Sequence, residues 1–424
     1  MLKVSSLADG RKAIIVRTSD RIAFKKCRRS WSWSSHLKQN LGPSYLASPL
    51  WFGSAIHYAL EDYHGYKHFE TASDAFRAYC IATSKQHLRD LPNDAEELYE
   101  LGVSMMDYYE NGWLSTRKQD ETYWEDGIPQ VEVNFEIPVP LEQHPLLKAY
   151  ANEMGADHVL YRGTIDRVAI DEYGRIWVVE YKTAKRAEHM HYQTDPQVST
   201  YVWAASHIYP NHEIAGVVYH QFIKNKPVQP RILSSGLFST ASNLMTSANL
   251  YKPALEAMYG SVGLAPQKNR EFLTDLMLKE DENNDKFISR VYIERNKHML
   301  EAEAQKILLE MEDMLNPDLP LYPNPTRDCS RMCSFLGACV SFDDGSDYQA
   351  ILDANFSPRD QAADRLWRRR MPDPEKLAQL RQDRLTPDLT DMQIRLQSLP
   401  KVEQEAIERG DQSINFTFNL DTGD

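Results

Sequence analysis

The hydrophobic pattern of the chain is organised around two β-type runs near its middle, residues 161–170 and 175–183. Both runs are rich in β-branched and aromatic side chains, which favour strands. Gly174 ends the short connection between them and accepts a positive φ, so the pattern predicts a β-hairpin. The second run begins IWVV, apolar on both faces, and is therefore predicted to be a central, buried strand.

Charged residues occupy matching positions on the two strands of this hairpin. If residues 172–174 form a three-residue loop, counting back along both strands places Asp166 opposite Glu180. Because side chains alternate between the faces of a strand, Glu180 and Lys182 share one face. Two carboxylates and one ammonium group on a single patch suit an oxygen-ligated cation such as Mg²⁺ or Mn²⁺. Mutual neutralisation of the three charges near the surface explains the same pattern without a metal.

Helical and strand periodicities continue on both sides of the hairpin. Before it, the pattern predicts a helix capped by Ser19 and Asp20 that carries Cys27, a helix within 51–66, helical segments over 70–118, a strand over 132–139 and a loop over 140–158. After it, the pattern predicts a helix over 193–208, a strand over 215–223, a helix over 237–258 with a looser segment behind it, a strand over 287–293 and a helix over 294–315.

Two of these helices carry candidate functional side chains. His57 and Glu61 lie four residues apart, and so share one helix face. A single histidine in such a position is more often an ordinary core or surface residue than a ligand. Gln197 and Tyr201 are also four residues apart and point the same way from the helix that follows the hairpin.

Length and composition set the outer bounds. A chain of 424 residues forms one large domain or two to three ordinary ones. Its net charge of −13 argues against nonspecific coating of nucleic acid, but a local basic groove with bound metal still holds phosphates. No apolar run approaches the length of a membrane span, and the N-terminus shows no cleavable signal pattern, so a cytoplasmic protein with no membrane partner is expected.

Three of the five cysteines, Cys329, Cys333 and Cys339, lie within eleven residues. In a cytosolic protein such clustering indicates a metal site in preference to disulfides. Three thiolates leave a four-ligand site one short, and Cys27 and Cys80 are the remaining candidates. Zinc is one alternative, although the usual paired Cys-x2-Cys spacing is absent, and an iron–sulfur cluster tolerates irregular spacing. Three unrelated cysteines remain a further alternative.

The character of the sequence changes towards the C-terminus. Residues 341–424 are rich in charge, proline and glutamine with little periodicity, so we expect an appended tail that is partly disordered or forms short helices near 373–384 and 390–409. The preceding residues, 1–340, are expected to form one domain. That domain ends with the cysteine segment 321–340.

Four motifs, in this order, resemble the RecB-like branch of the PD-(D/E)XK nuclease superfamily. They are GSAIHYALE (53–61), GTIDRV (163–168), VVEYKT (178–183) and QVSTY (197–201). One cysteine ahead of the first motif and three near the end of the domain resemble the iron–sulfur nucleases of the AddB and CRISPR-associated Cas-four type. The first gap here is Cys-x3-Cys, where that type has x2. The resemblance covers roughly residues 15–340 and is to bacteriophage or bacterial exonucleases.

This resemblance implies a restriction-endonuclease-like α/β fold, in which helices flank a mixed central sheet and a helical insertion occupies about 65–125. It also implies a specific set of site residues. Lys182 is implied to orient or help deprotonate the attacking water. Gln197 and Tyr201 are implied to align their helix over the site. The ligands implied for Mg²⁺ or Mn²⁺ are His57, Asp166, Glu180 and the backbone carbonyl of Tyr181. The ligands implied for a 4Fe–4S cluster are Cys27, Cys329, Cys333 and Cys339.

The function implied is that of a metal-dependent DNA nuclease, in particular an exonuclease, in DNA processing or recombination. Its partners are then single-stranded or end-bearing double-stranded DNA and recombination or replication proteins. One alternative is a catalytically silent module that binds DNA ends, although the intact set of Asp166, Glu180 and Lys182 argues against it. Another alternative is a scaffold protein stabilised by zinc.

Overall fold

A computed structural model describes residues 3–7, 9–43, 48–86, 92–117, 120–187, 191–280 and 286–359. Its helices, in chain order, are α1 (Thr18–Lys26), α2 (Arg28–Ser34), α3 (Ser48–His64), α4 (Ala72–Gln86), α5 (Ala95–Asp107), α6 (Pro145–Glu153), α7 (His191–Thr194), α8 (Pro196–Ile208), α9 (Ala248–Tyr259), α10 (Gln267–Lys279), α11 (Lys297–Leu315), α12 (Cys329–Met332), α13 (Leu336–Asp344) and α14 (Tyr348–Asn355). A π-helical turn, Tyr108–Trp113, follows α5, and short 3-10 turns lie at Leu114–Thr116, Leu141–Gln143 and Val262–Leu264.

The strands are β1 (Ser5–Ser6), β2 (Lys12–Arg17), β3 (Leu41–Pro43), β4 (Glu121–Thr122), β5 (Trp124–Glu125), β6 (Ile128–Pro129), β7 (Val131–Pro138), β8 (His158–Ile170), β9 (Ile176–Ala184), β10 (Ile214–Ile223), β11 (Ile288–Glu294) and β12 (Phe356–Pro358). Eight of them form one mixed sheet in the order β1-β2-β8-β9-β10-β11, with β4 and β7 also paired to β8. The pairs β2–β8 and β9–β10 are parallel, whereas the other pairs of this sheet are antiparallel. The predicted mixed sheet flanked by helices is confirmed.

The hairpin of β8 and β9 has the predicted register. The backbone N–H of Asp171 donates to the carbonyl of Arg175 over 3.1 Å, which closes a three-residue loop. Gly174 adopts a φ of +79°, a conformation that glycine accepts without steric cost. Arg167 pairs with Val179, so the next positions along the two strands bring Asp166 opposite Glu180.

β8 shares one of its edges between two strands. β2 pairs with the first half of β8, as far as Arg162, and β9 pairs with the second half from Arg167 onward. β7 runs along the opposite edge and overlaps both pairings, so β2 and β9 lie on the same edge of β8. Over residues 163–166 the described sheet has no strand paired to that edge. Asp166 lies at this split.

Helices cover both faces of the sheet, and the side chains of β9 alternate between the two hydrophobic cores that lie beneath these helices. Ile176 and Val178 pack in the core beneath α1, α6, α8 and α11. Trp177 and Val179 pack in the second core beneath α3, α4 and α5. Both cores bury their apolar side chains almost completely, which is the main source of stability in such a layered fold.

Three predictions outside the motifs were wrong. Residues 140–158, expected to be a loop, contain α6, whose first position is the favourable Pro145. The helix expected over 237–258 begins only at Ala248, because the preceding segment is rich in serine and threonine, which compete for backbone hydrogen bonds. The segment behind it, expected to be looser, contains α10.

The single helix expected around Cys27 was also wrong, because the helix is interrupted there. Cys27 has extended backbone angles, with φ −166° and ψ 115°, and separates α1 from α2. Asp20 does not cap α1 as the first residue but sits in its first turn, where its carboxylate accepts the backbone N–H of Arg17 at 3.0 Å. Cys27 is thereby the N-cap residue of α2, and the backbone N–H of Ser30 donates to its sulfur over 3.5 Å.

The first part of the expected tail is ordered structure. α13 runs through residues 340 and 341, α14 follows, and β12 pairs with β3. Phe335, Leu352 and Phe356 bury Trp33 in a small separate core. Residues 341–359 therefore contain short helices that pack against the N-terminal part of the domain. The helices predicted near 373–384 and 390–409 lie outside the described residues.

A buried ion network joins the two ends of the domain. Arg21 of α1 is 2% exposed and donates to Glu303 at 3.0 Å and to Glu310 at 2.6 Å, both on α11. It also donates to Tyr161 of β8 at 3.1 Å and Thr200 of α8 at 2.9 Å. One guanidinium group therefore ties α1 to β8, α8 and α11.

We expect Arg21→Met to destabilise the protein by about 3–5 kcal/mol, because it leaves the buried Glu303 carboxylate without its charge partner. The free energy of unfolding is read from urea denaturation. Adding Glu303→Leu to the Arg21→Met variant should restore part of this lost stability. Lys252→Ala, which breaks the exposed pair with Glu256, is the control and should change stability by less than about 0.5 kcal/mol. A loss in Arg21→Met no larger than that of the control contradicts the assignment.

Candidate metal-dependent active site

The site is built where β9 leaves β8. Beyond Val179 the two strands no longer pair, and the Asp166 carboxylate takes the place of a strand neighbour by accepting the backbone N–H of Tyr181 at 2.8 Å. Glu180 lies opposite on β9 and is 3% exposed. The strand divergence thus brings two buried carboxylates to one point.

α3 brings His57 to this point from the other face of the sheet. Its Nδ1 lies 3.3 Å from Asp166 Oδ1, and its Nε2 lies 3.1 Å from the carbonyl oxygen of Tyr181. Burial lowers the pKa of the imidazole, but the Asp166 carboxylate and, after it, Glu132 outweigh burial and raise this pKa to about 9. Burial also acts to raise the pKa of Asp166, yet His57 outweighs it and lowers that pKa.

Glu132 completes a group that the sequence analysis missed. Its Oε1 lies 3.9 Å from His57 Nδ1, and donor atoms of His57, Glu132 and Asp166 all lie within 4.8 Å of one another. Glu132 has a φ of +46°, rare for a residue with a side chain, at a position of β7 that faces Asp166 across the strand pair. The alternating strand pattern in the sequence does not show whether Glu132 or Glu136 lies at the site. Only the register of β7 on β8 does.

Lys182 and Gln197 hold Glu180 from its other side. Lys182 Nζ donates to Glu180 Oε1 at 2.5 Å and to Gln197 Oε1 at 3.2 Å, while Gln197 Nε2 donates to the same Glu180 oxygen at 3.1 Å. The other oxygen, Glu180 Oε2, is buried without a hydrogen-bond partner among the described residues. Burial and the neighbouring Asp166 carboxylate raise the pKa of Glu180 to about 7, against the opposing effect of Lys182.

α8 is anchored so that Gln197 points into the site. Asp195 caps the helix by accepting the backbone N–H of Gln197 at 2.8 Å, and its other oxygen accepts the hydroxyl of Tyr219 at 2.9 Å. Gln197 Nε2 donates in addition to the hydroxyl oxygen of Tyr201 at 2.9 Å. Tyr201 therefore contacts the orienting amide, while Gln197 contacts the carboxylate and the lysine directly.

This donor set fits a divalent cation. His57, Glu132 and Asp166 form a compact imidazole and carboxylate group, the only such group found among the described residues. Close by, the buried and unpartnered Glu180 Oε2 is an oxygen donor whose desolvation is offset when a cation binds. Carboxylate oxygens with one imidazole suit Mg²⁺ or Mn²⁺.

The four cysteines of the predicted cluster come from distant parts of the chain to one region. Burial raises the pKa of the Cys333 thiol, and the nearby Cys329, Cys27 and Cys339 raise it further. No three of these four sulfurs lie within 4.8 Å of one another. Cys80 is buried elsewhere, in the core of α3–α5, where burial alone raises the pKa of its thiol.

A mixed sheet that splits at an aspartate, with a glutamate and a lysine two residues apart on the departing strand, defines the class of metal-dependent nucleases with a restriction-endonuclease-like fold. The profile of the PD-(D/E)XK nuclease superfamily matches residues 20–340, and the chain belongs to this superfamily. Membership implies a metal-dependent nuclease that acts on DNA. No curated protein matches the chain with significant similarity.

None of the described helices combines the length and the apolar character that crossing a membrane requires.

Metal binding is expected to tighten as the pH rises through about 7. Below that pH Glu180 carries a proton, because burial and Asp166 raise its pKa to about 7, and a protonated carboxyl is a poor ligand. Each proton displaced changes the affinity by up to about tenfold per pH unit. Calorimetric titration of Mn²⁺ in the absence of DNA measures this slope. Glu180→Gln should bind more weakly and lose the step near pH 7; an unchanged slope in that variant excludes Glu180 as the titrating ligand.

We expect Glu132→Gln to weaken Mn²⁺ binding at least about tenfold, since it removes a charged donor beside His57 and Asp166. The measurement is the same titration at a fixed pH. Glu136→Gln is the matched control, because Glu136 lies on the same strand but binds Arg162 away from the site. Equal affinities of the two variants contradict a ligand role for Glu132.

Proposed function

We propose that this protein is a divalent-metal-dependent DNA exonuclease of the RecB-like branch, with a 4Fe–4S cluster in its C-terminal segment. The observation that carries the proposal is the convergence of Asp166, Glu180, Lys182 and His57 at the split between β8 and β9. The proposed setting is DNA processing or recombination, with protein partners, in a bacterial or phage-infected cytoplasm.

Each side chain has a definite task in phosphodiester hydrolysis. His57, Asp166, Glu180 and the Tyr181 carbonyl, joined by Glu132, would hold Mg²⁺ or Mn²⁺. The bound cation supplies Lewis acidity and lowers the pKa of its water. Lys182 lies 2.5 Å from Glu180 and is placed to orient the attacking water and to offset negative charge on the phosphate. Gln197 fixes both groups by binding the Glu180 oxygen and Lys182 together.

An exonuclease mode is supported by the ordered motifs that resemble RecB-like exonucleases. The acidic net charge of −13 also supports local engagement of a strand over coating of long duplexes. Gln197 and Tyr201 belong to one of those motifs. They form a hydrogen bond with each other, and Gln197 also binds Glu180.

The iron–sulfur proposal is supported by the surroundings of the four thiols. N–H groups donate to three of the sulfurs: Ser30 to Cys27 at 3.5 Å, Thr326 to Cys329 at 3.4 Å, and Arg29 Nη1 to Cys339 at 3.4 Å. Such donors stabilise thiolates. Three thiolates on one zinc ion, each at about 2.3 Å, lie about 3.8 Å apart, whereas no three of these four sulfurs lie within 4.8 Å of one another.

The test of the proposed function is cleavage of labelled DNA. In Mg²⁺ or Mn²⁺ the protein should shorten linear single- or double-stranded DNA from its ends and leave closed circular DNA intact, and a chelator should stop the reaction. Asp166→Ala should abolish cleavage, and Lys182→Ala should lower its rate at least about 10²-fold while Mn²⁺ still binds. Cleavage of circular DNA overturns the exonuclease mode. Binding of ends without cleavage identifies a silent module instead.

Cys27→Ser, Cys329→Ser, Cys333→Ser and Cys339→Ser should each lose iron and lower the thermal midpoint, because cluster binding contributes folding free energy. Iron and zinc content of purified protein and its absorbance near about 400 nm are measured together. Cys80→Ser is the matched control and should keep its iron. Stoichiometric zinc without iron favours the zinc scaffold, and loss of iron in Cys80→Ser with retention in Cys27→Ser excludes Cys27 as the fourth ligand.

A further inference from the structure

One face of α3 forms an open path that begins at the metal site. Gly53, His57 and Glu61 follow one another at four-residue intervals on this face and are only partly buried. A Cβ atom added to Gly53 meets none of the described atoms within 4 Å. Four residues of helix span about 6 Å, so the free space at Gly53 lies about one turn from His57.

Two lysines lie where this path reaches the start of α3. Lys185 directly follows β9, Lys224 directly follows its parallel neighbour β10, and the backbone N–H of Lys224 donates to the carbonyl of Ala184 at 2.8 Å. Lys224 Nζ lies 4.8 Å from the ring centroid of Phe52, the residue before Gly53. The carboxyl ends of two adjacent strands therefore carry two ammonium groups, and that of Lys224 lies beside the start of α3.

Within the described part of the chain neither of these two lysines forms a salt bridge. Burial lowers the pKa of Lys224, and the nearby Lys185 lowers it further, while Asp94 opposes them. By contrast, Lys226, two residues further on, pairs with Glu100 at 2.8 Å. Two ammonium groups close together, neither in a salt bridge, attract an anion.

We propose that a DNA strand passing through the metal site crosses α3 at Gly53, and that Lys185 and Lys224 bind its phosphates. This inference rests on the proposed function. Gln221 pairs with Lys182, so Lys224 lies three strand residues, about 10 Å, beyond the catalytic lysine. At about 3.4 Å of axial rise per nucleotide, the lysines meet the phosphates about three nucleotides from the bond that is cut.

The test measures the affinity for an end-labelled oligonucleotide by fluorescence anisotropy. The titrations contain a chelator and are repeated over a series of salt concentrations. Lys185→Gln and Lys224→Gln should each weaken binding and reduce the slope of log K against log salt by roughly 0.7 to 0.9, the effect of one lost phosphate contact. In metal, both variants should raise the KM for DNA and leave kcat unchanged. Lys226→Gln is the control and should keep the parent slope.

Gly53 provides an independent readout that does not change charge. Because the space beside Gly53 is open, Gly53→Ala and Gly53→Leu should both fold, with thermal midpoints no lower than that of the parent. Gly53→Leu should nevertheless raise the KM for DNA well above the value of Gly53→Ala, since its side chain enters the strand's path. Mn²⁺ affinity should stay at the parent value in both.

The outcomes separate this inference from the proposed function. If the parent binds and cleaves DNA while Lys185→Gln and Lys224→Gln keep its salt slope, the path is wrong and the nuclease stands. If Gly53→Leu cleaves as well as Gly53→Ala, the strand does not cross α3 there. If the parent neither binds nor cleaves DNA, the proposed function itself fails and this inference with it.

Discussion

The whole site depends on one hydrogen bond, from the backbone N–H of Tyr181 to the Asp166 carboxylate. A strand that leaves its neighbour exposes backbone groups that need new partners, and a buried unpaired N–H costs about 1–3 kcal/mol. Asp166 meets this need with one oxygen and keeps the other for His57, 3.3 Å away. The side chain that bridges the two diverging strands is thus also a metal-ligand candidate. The same hydrogen bond therefore sets both the path of β9 and the position of the carboxylate.

The carboxylates of the site outnumber its cationic groups, and this imbalance determines its electrostatics. Three carboxylates meet one imidazole and one ammonium group, and Glu180 Oε2 has no partner among the described residues. Uncompensated buried charge costs several kcal/mol, which is why Glu180 holds a proton up to a pH of about 7. A divalent cation supplies the missing charge, while Gln197, a neutral amide, fixes positions without adding to either sign.

The sequence pattern predicted those parts of the fold that depend on interactions between residues close together in the chain. The hairpin, its register and the two-faced burial of β9 follow from turn chemistry and alternation, and Asp166, Glu180 and Lys182 follow from them. Glu132 was not predictable in this way, because its relation to Asp166 depends on the pairing of β7 with β8 and on a left-handed backbone angle. The break at Cys27 and the proximity of its thiol to Cys333 depend on contacts across almost the whole chain.

The network around Arg21 has a consequence for the order in which the protein forms. Arg21 and Glu303 are 282 positions apart, and Arg29 and Asp343 are 314 apart. At about 5–20 residues per second, a ribosome needs roughly 15 to 55 s to bridge the shorter of these separations. All the side chains of the metal site, from His57 to Tyr201, leave the ribosome before α11, against which α8 packs. Completion of the site is therefore a late event in synthesis, and a chain that stops before α11 carries the motifs without the support that positions them.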